Sequence, residues 1–205
     1  MLNRLRCYSY LVSKRIFNKK IKLDLGSKDI QQHGWISSDL PSPNTGYDFL
    51  NALKNNRILL NATRSSDWKN FFYPNSIDYI FSEHMLEHLD DSELKKVIQN
   101  AYCFLKKEGN LRIAVPDGYR DDKFYQSEVS PPRVGHKQLF NIDSLTHLLK
   151  NAGFDVFPLE FYKNSKLVSN PYSDDKGKVR RSLKHDTQKN FHYRNHHYTS
   201  LIVDA

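Results

Sequence analysis

The stretch "YIFSEHMLEHL", Tyr79 to Leu89, passes from apolar residues into Glu83, His84, Glu87 and His88. On a helix, His84, Glu87 and His88 stand at i, i+3 and i+4 and share one face. Two imidazoles and a carboxylate so spaced have the donor set of a divalent-metal site. The same groups have the chemistry of an acid and a base. A glutamate there also serves to open a helix, its charge favoured beside the first backbone amides. Three further places carry ionisable groups in turns or loops: Asp117 in "VPDG", His136 in "GHKQLF", and the pair His185–Asp186. The bland reading of Asp117 is a turn carboxylate bonded to its own backbone; His185 and Asp186 read first as solvated surface, with a part in a substrate clamp as the alternative. His136 stands on a loop before a helix, where substrates reach a sheet edge.

These groups need elements to hold them. "IKLDLG", Ile21 to Gly26, reads as a core strand stopped by glycine, and "GWISSDL", Gly34 to Leu40, as a second ending in an acid. "PSPNTG" is a loop, "DFLNALKNN" a short helix, "RILLNAT" a third strand, and Ser76 to Ser82 a fourth. The segment "DDSELKKVIQNAYCFLKKEG" predicts the best helix, with a capping box from Asp90 to Glu93 and a terminator at Gly109. Leu94, Val97, Ile98, Ala101 and Leu105 make its apolar stripe, and Cys103 is expected on that side. "NLRIAVPDG" follows as a fifth strand, "NIDSLTHLLKNAGF" as a helix, "FDVFPLEFY" as a strand, and "HYTSLIVDA" as a last strand. Lys163 to Arg194 reads as a long polar, basic excursion. Alternating strands and helices predict a mostly parallel α/β sheet.

The chain has 205 residues, 39% hydrophobic and 13% aromatic, which suits one globular domain. A net charge of +8 favours an anionic substrate and leaves nucleic acid open as a partner. Two cysteines, Cys7 and Cys103, give no disulfide framework. Residues 1–20 are basic and amphipathic, read as a segment that packs on the domain at 21–205. The same pattern is compatible with peripheral contact on an anionic membrane. No run approaches a membrane span, and a cytoplasmic location is expected.

In such a sheet, ligands bind beyond the carboxyl ends of the strands. Gly26 ends the first strand where backbone must approach a ligand, and Asp39 ends the second where a carboxylate can accept both ribose hydroxyls. Lys28 and Ile30 stand where a nicotinamide fingerprint needs glycines, which argues against a pyrophosphate on this turn.

With these motifs in their order, "LDLGS…GWISSDL", "SIDYIFSEHMLEHL", "LKKEGNLRIAVPDG", "LTHLLKNAGF" and "YTSLIVDA", the chain resembles the class I S-adenosylmethionine-dependent methyltransferases over Ile21 to Ala205. The likeness is strongest to small bacterial or viral members associated with surface-sugar biosynthesis. The resemblance implies a Rossmann-like, doubly wound, mostly parallel seven-stranded sheet with an antiparallel last strand. It implies S-adenosyl-L-methionine as cofactor, with Asp24, Gly26 and Ser27 lining the methionine side. Asp39 would bind the ribose, Asn61 to Thr63 (Ala62 among them) would approach adenine, and Ser82 would lie beneath the sulfonium. Lys28 departs from the family's usual glycine.

The acceptor implied is a sugar hydroxyl of a glycan or glycan precursor. A hydroxyl needs a base, for which Asp117, His136 and His84 qualify by position. A metal-assisted RNA ribose 2′-O-methyltransferase and a non-catalytic cofactor-binding protein are the alternatives. The cluster of His84, Glu87 and His88 is also similar to that of the metal-dependent methyltransferases that modify RNA 3′ ends, a resemblance that implies His136 as the histidine completing the set. "LEHL" is widespread in metal-free members of the family, however, so Glu87 and His88 read as scaffold and no metal is assigned.

Overall fold

The computed structural model describes residues 19–27, 32–40, 57–186, 198 and 201–205. Lys28, "PSPNTG", all of "DFLNALKNN" and most of the basic N-terminal segment lie outside the described residues.

Eight described strands form one sheet: β1 Lys22–Leu25, β2 Ile36–Asp39, β3 Arg57–Leu59, β4 Ile77–Glu83, β5 Leu105–Val115, β6 Phe157–Lys163, β7 Lys166–Ser169 and β8 Leu201–Asp204. Their order is β3-β2-β1-β4-β5-β8-β6-β7. The first five pair in parallel. β8 is antiparallel to both of its neighbours, β5 and β6. This is the expected Rossmann-like sheet with an inverted last strand, plus one strand more.

The extra strand, β7, makes a hairpin with β6 inside what reads as a polar excursion. Asn164 and Ser165 have φ of 51° and 59°, the left-handed pair that a two-residue primed turn requires. As an edge strand with no fully buried residue, β7 shows little apolar alternation. Asn164 was the available cue.

Four α-helices among the described residues accompany the sheet: α1 Ser65–Phe71, α2 Asp91–Phe104, α3 Lys123–Val129 and α4 Ile142–Asn151. The α2 capping box is present, Asp90 Oδ1 accepting from the Glu93 amide and Glu93 Oε2 from the Asp90 amide, each at 2.9 Å. Leu94, Val97, Ile98 and Ala101 are buried as expected, joined by Phe104. The helix ends at Phe104 rather than at Gly109. Leu105 turns extended and pairs at once with Ile77, beside an irregularity in the β4–β5 ladder. Gly109 instead permits close approach. A Cβ there would meet Leu105 Cγ at 2.6 Å and the Asp78 carbonyl at 3.1 Å. Cys103 is exposed, so its expected place on the apolar side is corrected.

The main core joins Leu23, Leu25, Ile36, Ile80, Ile113 and Val203 to the buried sides of α2 and α4. A second cluster holds Trp35, Phe81, Ala114, Leu159, Ile202 and Val179. Val179 belongs to a strap, residues 172–186, that crosses this part of the sheet. Arg112 Nη1 anchors the strap, donating to the carbonyls of Ser173 at 2.7 Å and Gly177 at 2.8 Å. Glu160, 1% exposed, accepts from Tyr172 Oη at 2.8 Å and the Leu183 amide at 3.0 Å. No described helix is long and apolar enough to cross a membrane.

Candidate active site

A cavity of about 1240 Å³ opens at the carboxyl ends of β1, β2 and β4. Its first half is built by the strand ends. Gly26 has φ 69°, and a Cβ there would meet Met85 Cγ at 2.6 Å, so only glycine lets this turn pack against Met85. Its amide donates to the Ser38 carbonyl at 3.0 Å, fixing the turn to β2. Ser27 Oγ is buried without a partner. Asp39 Oδ1 accepts from the Leu40 amide at 2.8 Å.

The segment after β3 is equally constrained. Asn61 Oδ1 accepts from the Thr63 amide and hydroxyl, and the Asn61 amide donates to Asp67 of α1. The Ala62 carbonyl accepts from Trp68 Nε1 at 3.0 Å and Asn100 Nδ2 at 2.8 Å. Two helices thus hold this wall.

Gly26, Ser27, Asp39 and Ala62 line the cavity, whereas Asp24 and Ser82 do not. Both lie within their strands, Ser82 opposite Leu25 and Asp24 opposite Phe81. Burial, then the charge of Glu83, pushes the Asp24 carboxyl up to about 8 against the pull of Arg180 and Arg57. Glu83, at the end of β4, faces the cavity in their stead.

The second half holds the histidines. His84 has φ 55°, a left-handed conformation that costs a β-carbon-bearing residue strain and occurs at functional sites. Its Nδ1 bonds Glu87 Oε1 at 2.9 Å, and its ring lies 5.1 Å from that of Tyr198. Glu87 sits in a 3-10 turn, Leu86–His88, and is 1% exposed. Burial opposes its ionisation, but the hydrogen bond and charge of His84, its own amide and His88 bring the carboxyl below its usual range. Glu87 Oε2 is buried with no hydrogen-bond partner.

The Glu87 carbonyl accepts from the amides of Lys137 at 2.8 Å and Gln138 at 3.1 Å, drawing the "GHKQ" loop onto the turn. His136 thereby comes beside His88, ring centroids 4.9 Å apart. The sequence puts His84, Glu87 and His88 on one helical face; the chain instead makes a tight turn and brings His136 in.

Asp117 does not line the cavity. It is fully buried, Oδ1 accepting from the Tyr119 amide at 2.8 Å and Oδ2 from the Tyr162 amide at 2.6 Å. Burial raises its carboxyl to about 6 against those two bonds. A side chain committed in this way joins the β5 end to β6 and is not placed to take a proton in the cavity.

His185 and Asp186, which read as solvated surface ahead of a place in a substrate clamp, do line it. His185 Nε2 bonds Asp174 Oδ2 at 2.8 Å, and Asp186 Oδ2 accepts from the Tyr198 amide at 3.0 Å. Lys178, Arg180 and Arg181 on the strap complete that side, and sequence periodicity offered no signal for them. Arg180 pairs with Glu83 at 3.4 Å.

A family model described as a methyltransferase domain matches residues 19–159. An S-adenosylmethionine-dependent methyltransferase from Archaeoglobus fulgidus superposes with a TM-score of 0.53 at 18% identity, covering 82% of this chain and 81% of that one. A Thermotoga maritima protein described as an S-adenosylmethionine-dependent methyltransferase, possible histamine N-methyltransferase, gives 0.50 at 18% identity, covering 99% and 90%. No curated protein matches the chain significantly.

Proposed function

The chain belongs to the methyltransferase-domain family, and from that premise we propose that it methylates a sugar hydroxyl of a glycan or glycan precursor with S-adenosylmethionine. The cofactor supplies an electrophilic methyl group carried on a sulfonium. The first half of the cavity has the chemistry to hold it. Ser27 offers a buried hydroxyl that has no protein partner, beside a turn that only glycine permits. Asp39 can accept from the ribose hydroxyls, and Ala62 with Leu60 would flank the adenine. Asp24 acts from behind this wall, as part of β1, and Ser82 from within β4.

Displacement at a methyl group depends heavily on orientation, yet a hydroxyl also has to lose its proton. The observation that carries the reading is the His84–Glu87 pair, 2.9 Å apart on the cavity wall. With Nδ1–H donated to Glu87, the ring takes a proton on Nε2, and the carboxylate stabilises the imidazolium that forms. Glu87 orients; His84 is the base. His136 stands behind this pair, its Nδ1 held by the Val129 carbonyl at 2.7 Å. Lys178 and Arg181 at the rim favour an acceptor that carries negative charge, as a phosphorylated sugar does.

Incubation with radiolabelled S-adenosylmethionine against glycan, RNA and small-molecule pools tests this. Label is expected in the glycan or sugar-phosphate fraction. Label confined to RNA would replace the reading with ribose 2′-O-methylation, which the +8 charge favours. Calorimetry that detects no cofactor binding at millimolar concentration would remove both.

A further inference from the structure

In the same cavity, the geometry points to a divalent-metal site made by Glu87, His88 and His136. One ligand atom from each lies within 4.8 Å of the others. His88 Nδ1 is 3.2 Å from the Gly135 carbonyl, and His136 Nδ1 is 2.7 Å from the Val129 carbonyl. A carbonyl only accepts, so each Nδ1 carries its proton and each neutral ring keeps its lone pair on Nε2. Backbone carbonyls holding the far nitrogen are the usual support of metal-ligating histidines.

His136 Nε2 and Glu87 Oε1 then stand 4.0 Å apart, acceptor facing acceptor, too far for a hydrogen bond. A cation between them satisfies both. Glu87 Oε2, on a side chain 1% exposed and without a hydrogen-bond partner, is a second reason to place one there. Ligands about 2.1 Å from an ion lie at most about 4.2 Å apart. The set therefore closes with side-chain shifts of an ångström or less.

Two imidazoles and one carboxylate suit a first-row divalent ion and leave coordination positions open. All three residues line the cavity, so an ion held by them would be reached from it. The acceptor class that fits is a vicinal diol, whose two oxygens would occupy them while the ion lowers the pKa of the hydroxyl that His84 deprotonates. This role rests on the proposed methyl transfer; the binding of the ion does not.

Calorimetry of the full chain with Zn²⁺ or Mn²⁺, in the absence of cofactor, is the test. One equivalent is expected to bind, and His88→Gln and His136→Gln should each weaken it at least tenfold. His33→Gln and His147→Gln, at exposed positions, should leave it unchanged. Co²⁺ added to the unaltered protein should give visible absorption bands of nitrogen–oxygen coordination, a readout that does not depend on how the variants fold. Absence of binding, or binding that survives both substitutions with a normal melting temperature, would overturn the site. A bound ion without methyl transfer would instead remove only the functional reading.

Discussion

Arg112 holds Asp204 through two parallel hydrogen bonds, Nε to Oδ1 at 2.7 Å and Nη2 to Oδ2 at 2.9 Å, in the interior of the sheet. The two residues face each other across β5 and β8. The remaining guanidinium nitrogen holds the strap, so one side chain ties three segments together.

Arg112→Ala leaves Asp204 charged and buried without its main partner. The expected loss is about 3–5 kcal/mol in denaturant unfolding. Replacement of both residues by apolar ones of similar volume should cost less than the single change, and equal costs would refute the pairing argument.

The strap can be loosened without touching an ion. Gly177 has φ 122°, and a Cβ there would lie 2.5 Å from Phe81 Cδ2. Gly177→Ala should cost about 1–3 kcal/mol from overpacking. Acceptor KM is expected to rise more than cofactor Kd, since the strap faces the second half of the cavity. A melting curve identical to that of the unaltered chain would contradict this.

Asp39→Ala removes a charged acceptor from the cofactor half. Cofactor binding should weaken by about 1.5–3 kcal/mol, roughly ten- to over a hundredfold. Unchanged affinity by calorimetry would refute the ribose assignment.

His84→Gln should lower kcat about 10²–10⁴-fold with cofactor affinity retained, the range of general-base loss. Retained turnover would return the role to His136. Asp117→Asn, by contrast, breaks bonds to Tyr119 and Tyr162 amides; its effect is expected mainly in thermal stability.

Asp24 makes a pH signature. Its folded pKa, about 8, lies above the ordinary 3.8, so the folded state binds the proton more tightly than the unfolded chain. The resulting stability is fully present below about pH 4 and is lost as pH rises through 8. Melting temperature should therefore decline over that window, and Asp24→Asn should flatten the decline. Parallel profiles for the two proteins would exclude Asp24 as the source.

Most of the scaffold was readable because it obeys local periodicities. The α2 cap, its stripe and the strands expected to end at Gly26, Asp39 and Ser82 all follow from neighbours a few residues apart; the last runs one residue further, to Glu83. The end of α2 was not, because pairing with Ile77 outweighed the terminator at Gly109. The half of the cavity lined by Gly26 and Asp39 was visible for the same local reason. The other half was less so: only the resemblance suggested that His136 joins Glu87, which it reaches through loop amides, and Lys178 to Asp186 reach the cavity only because Arg112, Glu160 and Glu83 hold the strap. Asp117 looked functional from its position at a strand end, and only its two amide partners identify it as a brace.

The position of β8 has a consequence for biosynthesis. Last of the eight in sequence, it sits between β5 and β6. As the chain leaves the ribosome, β1 to β5 can pair in turn, but the β6–β7 hairpin has no seat until β8 arrives. Until then the nascent chain carries two open sheet edges, at β5 and β6, of the kind that pair with other chains. Arg112 also waits for its carboxylate. The β5 edge therefore stays open from the emergence of Val115, and the β6 edge from that of Lys163, until Asp204 has been made.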